Sequence, residues 1–90
     1  MDNNDIRVCR FISQFIEKDD VIVDVGANVG DYTSFFSVKL HGTGKVFSIE
    51  LSPDTFKALE SRFIGKSNIT LLNYAVSDSD GQITYYKGQD

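Results

Sequence analysis

A chain of 90 residues amounts to one domain or less, and with 41% hydrophobic and 24% charged residues its make-up is that of a folded protein, which excludes disorder and low complexity. No stretch reaches the length of a membrane span. The formal net charge of -4, with Lys and Arg scattered, leaves no basic footprint for nucleic acid.

The start, MDNND, lacks the cationic flank and apolar core of a secretory signal, so the expected location is the cytosol. Residues Asp5 to Glu17 carry Ile6, Cys9, Ile12, Phe15 and Ile16 at helical spacing, widened by Val8 and Phe11, which predicts a helix lying on a sheet. Cys9, the only cysteine, excludes an internal disulfide or a cysteine metal cluster and reads as packing. Lys18 to Asp20 make a polar turn. Val21 to Val25, VIVDV, is then apolar on both faces of the pleat apart from Asp24, the pattern of a strand flanked on each side.

That strand runs into Gly26, Asn28 and Gly30, residue types that take positive φ or let another group approach the backbone. A helix is expected from there, with Val29, Thr33, Phe36 and Leu40 on one face. Strand, tight turn and helix start make an anion-binding layout, because unpaired N–H groups and the macrodipole converge at a helix start. A dinucleotide fingerprint would need glycine where Asn28 and Asp31 stand, and Asp31 would face a pyrophosphate with like charge. A phosphate loop is absent too, since Val46 follows the Gly44-Lys45 pair. The frame that fits is Asp-x-Gly-x-Asn-x-Gly, whose polarity suits an amino-acid head group.

His41 to Gly44 form a return loop, and His41 has no partner near in sequence that would give it chemistry. Lys45 to Ile49 predicts a second strand ending in Glu50. Ser52 is a good N-cap and Pro53 suits the first helical position of a helix whose Phe56, Leu59 and Phe63 share a face and which Gly65 ends. Asn68 to Tyr74 predicts a third strand, Ala75 to Gly81 a turn rich in Ser and Asp, and Ile83 to Tyr86 a fourth short strand. The alternation predicts an α/β fold with the first three strands in a parallel 3-2-1 sheet, ligand lying at their C-terminal ends.

At those ends Asp24 to Gly30, Glu50 and Asn73 to Ala75 converge. Glu50, 26 residues after Asp24, is placed to accept two ribose hydroxyl protons. Asp24 has a competing role in bonding N–H groups of its own turn. The segments DVGANVGDYT, KVFSIELSPDTFKALE and NITLLNYAVSDSDGQITYY closely resemble the FkbM-type methyltransferases, over about Asp20 to Lys87. The resemblance implies a Rossmann-like class I methyltransferase fold binding S-adenosyl-L-methionine, with Asp24, Gly26, Ala27, Asn28 and Gly30 around its methionine part and Glu50 on its ribose. Leu51, where the family usually has proline, would pack against adenine. Tyr74-Ala75 replaces the Asp-Ala that ends the third strand in many relatives, which leaves base recognition to backbone groups there or to Asn73.

The resemblance further implies methyl transfer to a hydroxyl of a small-molecule or sugar-type acceptor. The family continues into a strand bearing a Lys-Ile-Asp-x-Glu-Gly-type segment and further strands, so residues 1–90 read as the cofactor-binding half of a truncated domain, with three parallel strands plus one short extra strand. No residue here stands out as the general base, and no metal is expected. The alternatives are a non-catalytic remnant or nucleotide-binding module and, more distantly, an NAD site. Val21 to Val25 would have a neighbour on one side only, so self-association through an open sheet edge is expected.

Overall fold

The structure is a computed structural model; it describes the backbone of residues 1–79 and 82–87 and the side chains of residues 1–74. In chain order it contains helix Asn3–Ser13 (α1), strand Val21–Val25 (β1), helix Asp31–Ser37 (α2), strand Lys45–Ile49 (β2), helix Pro53–Arg62 (α3) and strands Ile69–Leu72 (β3), Tyr74–Ser79 (β4) and Gln82–Lys87 (β5). The expected parallel sheet is present in the order β1-β2-β3.

Register decides which side chains meet the helices. Ile22 and Asp24 align with Val46 and Ser48, and these with Ile69 and Leu71, so the six share one face. That face is covered. Val46 and Ser48 are fully buried, and Ile69 and Leu71 pack with Phe56 against the cluster of Ala27, Leu59 and Phe63. The predicted faces of α2 and α3 account for this, since Thr33, Phe36, Leu40, Leu59 and Phe63 are all buried. Ser52 caps α3 as expected, its hydroxyl accepting the Thr55 N–H with Pro53 in the first turn.

The structure corrects four expectations. Val29 is 44% exposed and outside the helix, because α2 starts at Asp31 behind Gly30. The valines of β1 are not flanked on both faces: Val21, Val23 and Val25 are 57–62% exposed, since α2 and α3 cover the other face of the sheet. The stretch from Ala75 is not a turn. Tyr74–Ser79 is a strand paired antiparallel with β5 in a two-stranded sheet of its own, so the one extra strand is a pair. Of the expected turn, Asp80 and Gly81 lie outside the described residues. Its Ser and Asp residues are turn formers by composition, but cross-strand pairing overrides that local preference.

Finally, α1 packs chiefly against α2 rather than along the sheet. Its stripe is covered at Cys9 and left open at Val8, Phe11, Ile12 and Phe15, with the rings of Phe11 and Phe15 edge to face at 5.4 Å. The helix ends at Ser13, short of the expected Glu17; the Ser13 hydroxyl donates back to the Cys9 carbonyl at 2.8 Å, and the Phe15 N–H turns to Ile12. Among the described residues no helix is long and apolar enough to cross a membrane.

Candidate cofactor site

The turn after β1 takes the conformation its residue types allow: φ is +71° at Gly26, +55° at Asn28 and +93° at Gly30. These values are the left-handed region, where Asn and Gly are the tolerated residues. At Gly26 nothing lies within 4 Å of an added Cβ, whereas at Gly30 it would press on Leu59 and Phe63 of α3. One glycine therefore borders open space, and the other lets α3 pack close.

Strand pairing places Glu50 beside this turn. The Ile49 carbonyl accepts the N–H groups of both Gly26 (2.8 Å) and Ala27 (2.9 Å), and the Gly30 N–H donates to the Ala27 carbonyl. The Glu50 carboxylate accepts the Asn28 N–H at 2.8 Å and, through its other oxygen, the Ser52 N–H at 3.0 Å. It is thus Glu50, not Asp24, that bonds N–H groups of the turn. The expected anion-binding arrangement is modified accordingly, because the N–H groups of Gly26, Ala27, Asn28 and Gly30 are all engaged within the protein.

Asp24 instead accepts the Thr33 hydroxyl at 2.7 Å. Asn73, buried at the end of β3, donates its amide to the carbonyls of Glu50 and Leu51 at 2.8 and 2.9 Å, so it holds the loop after β2 in place. Leu51 is exposed beside it. Tyr74 and Ala75 begin β4, and the side chain of Ala75 lies outside those described.

A cleft of about 210 Å³ opens at the end of β1, lined by Asp24, Gly26, Ala27, Asn28, Val29, Asp31 and Tyr32, together with Asp5 of α1 and Met1 ahead of that helix. Cofactor-sized ligands occupy roughly 300 to 1,000 Å³, so this cleft takes one end of such a ligand. Sequence reading did not find Asp5 and Tyr32. Their contact spans 27 positions, the Tyr32 hydroxyl donating to Asp5 at 2.6 Å, and no local pattern announces it. The Asp5 carboxylate pushes the Tyr32 hydroxyl up to about 12, and that same bond holds Asp5 below the usual carboxylate range. Burial, then the Asp5 and Asp24 charges, push the Cys9 thiol up, so Cys9 is a packed thiol as expected.

Arg62 of α3 braces the turn from outside, donating to the Val29 carbonyl at 3.0 Å and to Asp31 at 2.7 Å. The guanidinium holds Asp31 below its ordinary value. A lowered carboxylate stabilises the fold above its unfolded value of about 3.9 and loses that contribution as acid carries the pH down through the folded value. Arg62→Ala should therefore lower neutral stability only slightly, because the pair is exposed, and flatten the loss of stability below about pH 4 by that same small amount. Urea unfolding at pH 3 and pH 7 measures both.

Parallel strands β1 to β3 with helices between them, and a turn and an acidic residue at the ends of the first two strands, define a Rossmann-like methyltransferase fold. Solved structures agree. A putative rRNA-methylase from Clostridium thermocellum superposes with TM-score 0.74 at 18% identity, over 83% of this chain and 42% of that one. A SAM-dependent methyltransferase from Aquifex aeolicus gives 0.62 at 21%, over 70% and 35%. At such identities the likeness is one of fold. Residues 24–90 match the family described as "Methyltransferase FkbM domain", and the chain belongs to that family. The hexuronic acid methyltransferase AglP of Haloferax volcanii is 35% identical over 79 residues, 87% of this chain. The chain spans 31% of the length of that curated relative.

Proposed function

We propose that this chain carries the cofactor-binding part of an S-adenosylmethionine-dependent methyltransferase acting on a hydroxyl oxygen of a small, sugar-type acceptor. The observation that carries the reading is the polarity of the cleft. Asp5, Asp24 and Asp31 line it. Asp31 is paired with Arg62 at 2.7 Å and with the Met1 ammonium at 3.6 Å, so Asp24, which bonds to the neutral Thr33 hydroxyl, is the carboxylate that suits a cationic ligand end. It lies beside N–H groups of Gly26, Ala27, Asn28 and Gly30 that are engaged within the protein. S-Adenosylmethionine brings two positive centres, an α-ammonium and a sulfonium. When bound, its sulfonium would supply an electrophilic methyl group to the acceptor oxygen, the S–CH3 electron pair staying on sulfur as a neutral thioether and the hydroxyl proton passing to solvent. In this reading Asp24 and the Gly26 to Gly30 turn hold the methionine end. Glu50, anchored by two N–H groups, accepts the ribose hydroxyls, while Leu51 and the backbone around Asn73 and Tyr74 flank the base. The sugar-type acceptor draws support from the name of the Haloferax relative.

Isothermal calorimetry of the 90-residue chain with S-adenosylhomocysteine tests the cofactor assignment, and binding is expected. Tighter binding of NAD would overturn it. Binding without turnover of uronic-acid acceptors would favour a binding module.

The same chain is expected to self-associate. Among the described residues edge strand β1 has one neighbour and a row of exposed valines, without the lysine or proline that guards natural edges. Light scattering against concentration should show oligomers. A monomer with a sharp, concentration-independent melt would count against this.

A further inference from the structure

We propose that Thr33 and Ser48 are positioning residues that orient Asp24 toward the methionine end of the cofactor, an inference that rests on the cofactor reading above. Three elements meet in one polar contact. Thr33 of α2 and Ser48 of β2 are fully buried, and their hydroxyl oxygens are 2.6 Å apart. Thr33 also donates to Asp24 of β1 at 2.7 Å.

The proton count gives this contact a direction. A hydroxyl has one proton, and that of Thr33 goes to Asp24, so in its bond to Ser48 the Thr33 oxygen accepts and Ser48 donates. The chain therefore runs Ser48 to Thr33 to Asp24, each bond polarising the next and ending on a carboxylate oxygen. It tethers one oxygen of that carboxylate, which lines the cleft beside Gly26 and Asn28. Two hydroxyls with no access to solvent would cost stability as an apolar core would not; here they are satisfied by one another and by the group that faces the ligand. Neither residue reaches the cleft itself.

The test compares two probes, S-adenosylhomocysteine and 5′-methylthioadenosine, which lacks the amino-acid end, by calorimetry on the 90-residue chain. Thr33→Val keeps the side-chain shape and removes the hydroxyl. It should weaken S-adenosylhomocysteine about tenfold and 5′-methylthioadenosine by less than about twofold. Thr33→Ser, which keeps the hydroxyl and removes the methyl, should restore S-adenosylhomocysteine binding. A packing role predicts the reverse, with valine tolerated and serine not. Ser48→Ala, which leaves the Thr33 to Asp24 bond in place, should give a smaller loss confined to S-adenosylhomocysteine, and it decides the matter if Thr33→Val fails to fold. Equal weakening of both probes, no weakening of either, or valine outperforming serine would overturn the positioning role while the cofactor reading stands. A wild-type chain that binds neither probe would overturn both.

Discussion

Gly30→Ala is expected to destabilise the chain by about 2 to 5 kcal/mol, more than any other single added methyl group in the cofactor turn. Two costs add. With φ at +93°, an L side chain costs about 1 to 2 kcal/mol. The new Cβ would also lie 2.8 Å from Leu59 Cδ1 and closer still to the Phe63 ring, an overpacking cost of about 1 to 3 kcal/mol. Those two side chains and Ala27 are the buried cluster that joins α3 to the sheet, so they have little room to move. A domain this size has about 5 to 10 kcal/mol in all, and the variant should be largely unfolded at modest urea. Gly26→Ala is the control. Its φ of +71° carries the same backbone cost, but nothing lies within 4 Å of the new Cβ, so its loss should stay near 1 to 2 kcal/mol. Equal urea midpoints for the two variants would show that contact with α3 is not what Gly30 provides.

Glu50→Ala should weaken S-adenosylhomocysteine by about 1.5 to 3 kcal/mol, the range for hydrogen bonds to a charged group. The variant removes the proposed ribose acceptor and the anchor between the turn after β1 and the start of α3, since Glu50 accepts from Asn28 and Ser52 at once. Glu50→Gln separates the two contributions. An amide has one acceptor oxygen, so it can satisfy one of those N–H groups while opposing the other with its own N–H. Its affinity should fall between wild type and Ala, and its melting temperature should drop as far as that of Ala. Calorimetry with melting curves on the same samples checks this, and an unchanged affinity in Glu50→Ala would remove Glu50 from the ribose.

Much of the geometry of the candidate site was legible because its signals are local. Gly26, Asn28 and Gly30 announced a turn with positive φ, and all three adopt it. Glu50 announced itself by following a short β-prone run, and parallel pairing then places it beside the turn. What escaped reading depends on register and on contacts between distant residues. Ser48 looked like an ordinary strand residue until its alignment with Asp24 turned it into the covered face under Thr33. The valines of β1 marked a strand correctly but not its burial, since Val21, Val23 and Val25 are exposed and hydrophobicity does not say which face is covered. In β4 the Ser and Asp residues pointed to a turn, and the antiparallel partner that overrides them lies in β5.

The carbonyl of Ile49 serves two successive N–H groups, and Glu50 serves the next, so the glycine-bearing turn is not a slack loop waiting for a ligand. Its amide hydrogens should exchange with solvent at a rate set by separation of β1 from β2 rather than by local fraying. Little conformational entropy remains in it to lose when a ligand arrives, and a preorganised site keeps more of its contact energy as affinity. Substitutions in β2 far from the cleft, where they loosen the hold of Ile49, would then act on the site by restoring motion to it, weakening binding without removing a single contact to the ligand.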